Sequence, residues 1–288
     1  MKSTGTHRQS MFLIVCLLLM MPLSEACMQR DRDKNPPGYD LSTAQRFAMP
    51  ETLLEISGIT FNKGNSDTVY AIQDEEGKLF RLAWNVKKQY HAKFARSGDY
   101  EDVTIVRDRV FILKSDGLIY SFPMGDAFYA EVDSVLESRD VLPKGEYESL
   151  YGDETTGQIF TICKNCKTDD NKDKITGYVL KFDGQLSQTG TFEVDVKSIS
   201  SYTGKVKRGF RPSALAKNPI TGEWFIISAV NKLLVVADKD WKIKGAYALD
   251  GNRFNQPEGI AFDKAGNLYI SNEGDDLSDG NILKISRK

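Results

Sequence analysis

"QPEGIAFDKAGNLYISNEGD", Gln256 to Asp275, sets a proline, a glutamate and a glycine against a short apolar strand, then a turn, a second strand and a cluster of acids. Short apolar runs punctuated by Gly, Asn and Asp read as consecutive antiparallel strands. The same sentence recurs. "SGITF…DTVYAIQDEEGKLFRL" begins at Ser57, "EDVTIVRDRVFILKSDGLIYSF" at Glu101, "ESLYGDETTGQIFTICKNC" at Glu148 and "SALAKNPITGEWFIISAVNKLLVVAD" at Ser213. Ile59, Val103, Leu150, Leu215 and Ile260 hold equivalent positions, spaced 44, 47, 65 and 45 residues apart. In all-β units that is the length of a four-stranded propeller blade.

The chain is therefore expected to be all-β, a five-bladed β-propeller of four-stranded antiparallel blades. Outer strands are expected near Gln89–Phe94, Phe128–Val132, Thr189–Val194 and Ile243–Ala248. The last unit lacks one, and Tyr39 to Met49, "YDLSTAQRFAM", can supply it, closing the ring and removing the exposed edges of an open array. The 65-residue gap leaves room for a sixth, degenerate blade near Val194–Arg211, so six blades is the alternative. No helix of useful length is expected.

The 288 residues are 41% hydrophobic and 27% charged, with a formal net charge of −2, which offers no basic excess for nucleic acid. Lys2 and Arg8 precede the apolar run Met11–Leu23, which has the shape of a secretory signal and is short for a membrane span. Cys27, directly after Ala26, reads as the lipid acceptor of a bacterial lipoprotein, with plain cleavage after Ala26 as the alternative. The expected organisation is a signal peptide over 1–26, a polar tether over 27–38 and a propeller over 39–288. The product would be held to a membrane of the cell envelope, in the periplasm or at the cell surface, through lipid on Cys27. The remaining pair, Cys163 and Cys166 in "CKNC", lacks the second pair that a structural zinc site needs and reads as a local disulfide in a loop.

In a blade the first strand starts where the second ends, so both open on one mouth of the channel. In register, Glu101, Asp102, Glu148 and Glu258 open first strands, and Asp74 and Glu273 close second strands. These six acids are expected to converge, with Lys114, Lys164 and Arg211 nearby. Crowded carboxylates must hold a cation, pair with bases or retain protons. An oxygen-rich set with only His7 and His91 in the chain favours calcium over zinc or copper. The competing reading is internal: the polar starts bond neighbouring backbone, and Lys114 and Arg211 neutralise the acids. "DDNKDK" (Asp169–Lys174) begins like a calcium loop but lacks its glycine and closing glutamate, so it reads as a solvated loop, as does "NEGDDLSDG" (Asn272–Gly280). Tyr100, Tyr147 and Tyr151, and Trp84, Trp224 and Trp241, read as blade packing. No G-x-S-x-G elbow or Ser-His-Asp set is evident, which favours a non-enzymatic protein.

"PEGIAFDKAGNLYISNEGD" is similar to the NHL-type propeller repeat. Together with "EISGITF", "GDYEDVTIV", "EYESLYGD" and "RPSALAKNPITGEWFIIS", it makes the chain resemble the SdiA-regulated propeller family of bacterial exported proteins and lipoproteins. The resemblance implies a five-bladed envelope propeller. The expected function is then binding of calcium, a small ligand or a partner protein at the acidic mouth. The alternative is a metal-dependent hydrolase, because "PEGIAF…GNLYISNEG" also resembles gluconolactonase-type propellers, on which Glu258, Asn272 and Glu273 would hold a divalent ion.

Overall fold

The computed structural model describes residues 34–288, apart from Lys87, Lys205 and Lys207. The signal peptide and Cys27 lie outside the described residues.

Strand β1 (Gln45–Ala48) is followed by five antiparallel sheets. Blade one is β2 (Ile56–Thr60), β3 (Val69–Gln73), β4 (Lys78–Leu82) and β5 (Tyr90–Lys93). Blade two is β6 (Tyr100–Val106), β7 (Arg109–Lys114), β8 (Ile119–Pro123) and β9 (Leu136–Ser138). In blade three the innermost strand is split into β10 (Gly145–Tyr147) and β11 (Tyr151–Asp153), both paired with β12 (Gln158–Cys166), and β13 (Lys174–Asp183) and β14 (Gln185–Asp195) complete it. Blade four is β15 (Ala214–Lys217), β16 (Trp224–Ser228), β17 (Leu233–Ala237) and β18 (Ile243–Ala248). Blade five is β19 (Gln256–Phe262), β20 (Leu268–Glu273) and β21 (Asn281–Ile285), and β1 pairs antiparallel with β21 as its fourth strand. The ends of the chain thus close a five-bladed propeller.

Each seam between blades is one apolar core, and each register residue belongs to a different one. Ile59 sits between blades five and one, Val103 between one and two, Leu150 between two and three, Leu215 between three and four, and Ile260 between four and five. The repeat in the sequence is therefore the repeat of the seams. Trp224 is buried and stacks on Trp241 at 4.3 Å between centroids, and Trp241 stacks on Phe192 at 3.6 Å. Tyr100 and Tyr147 are buried packing residues whose hydroxyls donate to the carbonyls of Arg96 (2.7 Å) and Pro143 (2.8 Å).

Three expectations differ. The region of the sixth blade is helix α1 (Val196–Thr203), capped by Asp195, whose carboxylate accepts from the N–H groups of Lys197 and Ser198. Val196 and Ile199 anchor it in the seam between blades three and four. The outer strand of blade two is Leu136–Ser138, because Ala130–Val132 runs beside β5 of blade one: Lys93 N–H donates to Ala130 O and Val132 N–H to Lys93 O, both at 2.9 Å. Cys163 and Cys166 do form a disulfide, but inside β12 and buried, not in a loop. At the start of the described chain, Pro36 is buried, Asn35 Oδ1 accepts from Leu41 N–H (2.8 Å) and Lys288 N–H donates to Gly38 O (2.9 Å).

Candidate functional site: an acidic channel mouth

The first strands are not regular where the acids sit. In blade two Tyr100 opposes Lys114 and Asp102 opposes Leu113, leaving Glu101 without a partner residue. In blade five Pro257 opposes Asn272 and Gly259 opposes Ser271, leaving Glu258. Blade one breaks register between Ile56 and Ile59, across Ser57-Gly58. Glu148 falls in the gap between β10 and β11. A bulge bends the strand and re-aims its extra residue, which is why bulges recur at rims and binding sites.

Those breaks sort the polar residues into two groups. One group stitches the blades. Ser57 Oγ donates to Glu101 O, Ser271 Oγ to Ser57 O (2.6 Å) and Ser213 Oγ to Pro257 O (2.9 Å). Asp102 belongs here and not to the mouth. It is buried, and its two oxygens accept from the N–H groups of Val103 (2.8 Å) and Leu150 (2.6 Å), joining blades two and three. Gly58 leaves it room, since a Cβ there would overlap the Asp102 side chain.

The second group is Asp74, Glu101, Glu148, Glu258 and Glu273, which do share one mouth. Burial, then Asp99, raises Glu101 to about 8, with Glu258 and Asp74 adding repulsion. Burial, then Glu258 and Asp74, raises Glu273 to about 8. Burial raises Glu258 to about 7, and burial with Glu55, Glu75 and Asp99 raises Asp74 to about 6. Carboxylates of three blades therefore feel one another.

The compensating cation is Lys164, paired with Glu148 and with Glu146 (3.1 Å). Its charge opposes the upward shifts of Glu101, Glu258 and Glu273. Lys114 pairs weakly with its neighbour Asp116 (3.8 Å), and Arg211 acts on Glu146, so the pairing falls to Lys164 and not to the two bases of the competing reading. Lys232, which sequence reasoning missed, donates to Asn255 O and opposes the rise at Glu258. It directly precedes the third strand of blade four, a position the repeat did not single out.

Two oxygens of these strand ends lack donors. Asp74 Oδ1 is buried without a hydrogen-bond partner, and so is Asn272 Oδ1, while the Asn272 amide nitrogen donates to Asn281 Oδ1 (3.1 Å). The mouth carboxylates nevertheless stand apart: among the described residues, the one triple of Cys, His, Asp or Glu ligand atoms within 4.8 Å of one another is Cys163, Cys166 and Asp169. Its sulfurs are joined to each other, and Asp169 accepts from the Thr176 N–H (2.9 Å) and Oγ1 (2.6 Å). The Asp169–Lys174 loop is thus tied to its own backbone. Asp275 likewise accepts from Leu277 N–H and Ser278 Oγ, both at 2.9 Å, within an exposed turn.

The far end of the channel holds a cavity of about 420 Å³ that includes Thr104, Asp153, Lys217 and Asp263. Its acids are structural. Asp153 pairs with Lys217 (3.1 Å), and Asp263 accepts from the N–H groups of Ala265 (3.0 Å) and Asn267 (2.9 Å).

Fold and site together define a five-bladed propeller with an acidic channel mouth. The SdiA-regulated family model matches residues 194–276, from the end of β14 through α1 and blade four into blade five. No curated protein sequence matches the chain. Among solved structures, the glutaminyl cyclase of Myxococcus xanthus aligns with a TM-score of 0.54 at 13% identity, over 84% of this chain and 94% of that one. A calcium-binding protein, regucalcin, from Agrobacterium tumefaciens aligns with a TM-score of 0.51 at 13% identity, over 84% and 92%. A glucose dehydrogenase gives 0.52 at 14% identity, over 85% and 100%. At such identities the likeness is one of fold alone.

Proposed function

We propose that the acidic mouth binds a divalent cation, calcium, and that the protein is a binding module and not an enzyme. One observation carries this: Asp74, Glu101, Glu258 and Glu273 are raised by burial and mutual repulsion, while Lys164 is already engaged by Glu146 and Glu148. The donor set fits a hard ion, being all oxygen with two orphaned oxygens at the strand ends. Glu101, Glu258, Glu273 and Asp74 would hold the ion, with water completing its shell because the carboxylates stand apart. Bound calcium would supply the positive charge that lets these groups ionise together.

The same reading places the propeller at the bacterial envelope, anchored through lipid on Cys27. The apolar run Met11–Leu23 supports export, and the oxidised Cys163–Cys166 pair fits an oxidising compartment.

The test is a thermal melt of the chelator-treated protein titrated with calcium. An ion bound to the native state adds RT ln(1 + [L]/Kd), about 2.7 kcal/mol at a hundredfold excess over Kd. Calcium is expected to raise Tm in the native protein and much less in Glu258→Gln. A Tm indifferent to chelator and to millimolar calcium would refute the proposal.

A further inference from the structure

We infer that Lys164 is a tethered counter-cation of the mouth, an internal competitor that sets how tightly a free cation is held; this rests on the cation-binding reading above. Its position is built. In blade three Gly145 opposes Cys166, Glu146 opposes Asn165 and Tyr147 opposes Cys163, so Lys164 is the residue that β12 leaves unpaired. Blades two and five bulge a glutamate toward the mouth from their first strands, and blade three bulges a lysine from its second. Re-aiming the extra residue is what a bulge does.

The bulge is braced on every side. Cys163 and Cys166 flank Lys164, are joined to each other and lie buried in the seam between blades two and three. Gly145 permits the close approach of β10, since a Cβ there would overlap Cys166 Sγ. The Lys164 carbonyl accepts from Asn171 Nδ2 (2.8 Å). Only the four-carbon stem remains to move, and the side chain is 15% exposed.

From this root the ammonium pairs with Glu146 and Glu148 of its own blade, and its field reaches blades two and five. A tethered charge cannot be diluted away, so any free cation enters against its repulsion. Attraction to each carboxylate and repulsion by Lys164 both scale with the charge of the entering ion, so Lys164 raises the threshold for binding of any free cation.

The experiment compares the native protein, Lys164→Gln and the charge-retaining Lys164→Arg by calorimetric titration with calcium chloride, and by thermal melts without calcium. Lys164→Gln is expected to bind calcium about tenfold tighter or more, and Lys164→Arg like the native protein. Without calcium, the Tm of Lys164→Gln should fall below native and that of Lys164→Arg should match it, because Glu146 and Glu148 lose their paired cation only in the first. Native calcium binding that Lys164→Gln leaves equal or weakens would overturn the inference. If neither protein binds calcium, the cation-binding reading fails by itself and the melts decide: a deficit in Lys164→Gln that Lys164→Arg restores upholds the counter-cation, and no deficit, or one shared by Lys164→Arg, removes it. Lys164→Met, which keeps the apolar stem, gives the same readings should the glutamine variant not fold.

Discussion

Glu101 and Asp102 are adjacent acids with opposite fates. Sequence register puts both at one mouth, because counting along a strand assumes regular alternation. The bulge at Glu101 breaks that count, turning one carboxylate toward the channel opening and the other into the seam. Asp102→Ala would leave the N–H groups of Val103 and Leu150 buried without acceptors, each costing about 1–3 kcal/mol. A loss of about 2–4 kcal/mol is expected in a urea melt, a size reserved for broken buried networks. A change below about 0.5 kcal/mol would show that the stitch is dispensable. The right lysine was equally hidden: Lys114 closes β7 and Lys164 lies near the end of the equivalent β12, and the bulge stapled by Cys163–Cys166 brings the second of them to the acids.

Among elements, the strands that repeat were legible and those that depart from the repeat were not. Helix α1 carries a readable start, Asp195 before Val196, with Ile199 one turn on, yet eight residues embedded among strands are too short for periodicity to separate from a degenerate blade. Asp195→Ala removes the acceptor of two helix N–H groups and of Ser198 Oγ (2.6 Å), and a destabilisation of about 1 kcal/mol is expected by chemical denaturation. Blade two shows a different limit. Phe128–Val132 is apolar enough for its outer strand, but a contact with the neighbouring blade claims it, as Lys93 N–H meets Ala130 O. Local pattern identifies a strand and does not choose its partner.

At the scale of the whole molecule, closure and charge make two further predictions. Strand β1 joins the ring through pairing of Gln45–Ala48 with Asn281–Lys284. A chain begun at Pro50 would expose β21 as an edge, and loss of cooperative unfolding with concentration-dependent association is expected by denaturant melts and size-exclusion chromatography. An unchanged cooperative monomer would show that closure is not needed. Glu101, Glu258, Glu273 and Asp74 all titrate above their ordinary range, at about 8, 7, 8 and 6, so the folded chain holds these protons more tightly than the unfolded chain. Stability from them is full below about pH 4 and is lost as pH rises through about 6 to 8. Glu146 and Asp153 are lowered against the opposing effect of burial, Glu146 chiefly by Lys164 and Asp153 by the Thr156 N–H and Lys217, and they act in the other sense, losing stability in acid. Without divalent ions Tm should therefore peak near about pH 5 and decline toward about pH 8, with Glu258→Gln flattening the decline. A flat profile over that range would mean that the acids are compensated.

The sequence by itself determined the seam residue of each blade and the use of Tyr39–Met49 to close the ring, and favoured five blades over six, because these follow from hydrophobic period and from the missing strand of the last unit. It also brought Asp74, Glu101, Glu148, Glu258 and Glu273 to one mouth, because strand ends share a mouth whatever the details between them. Only the tertiary structure decided which acids face that mouth, which lysine meets them and what occupies the long gap. Bulges, inter-blade hydrogen bonds and the disulfide change a residue's direction without changing its place in the repeat.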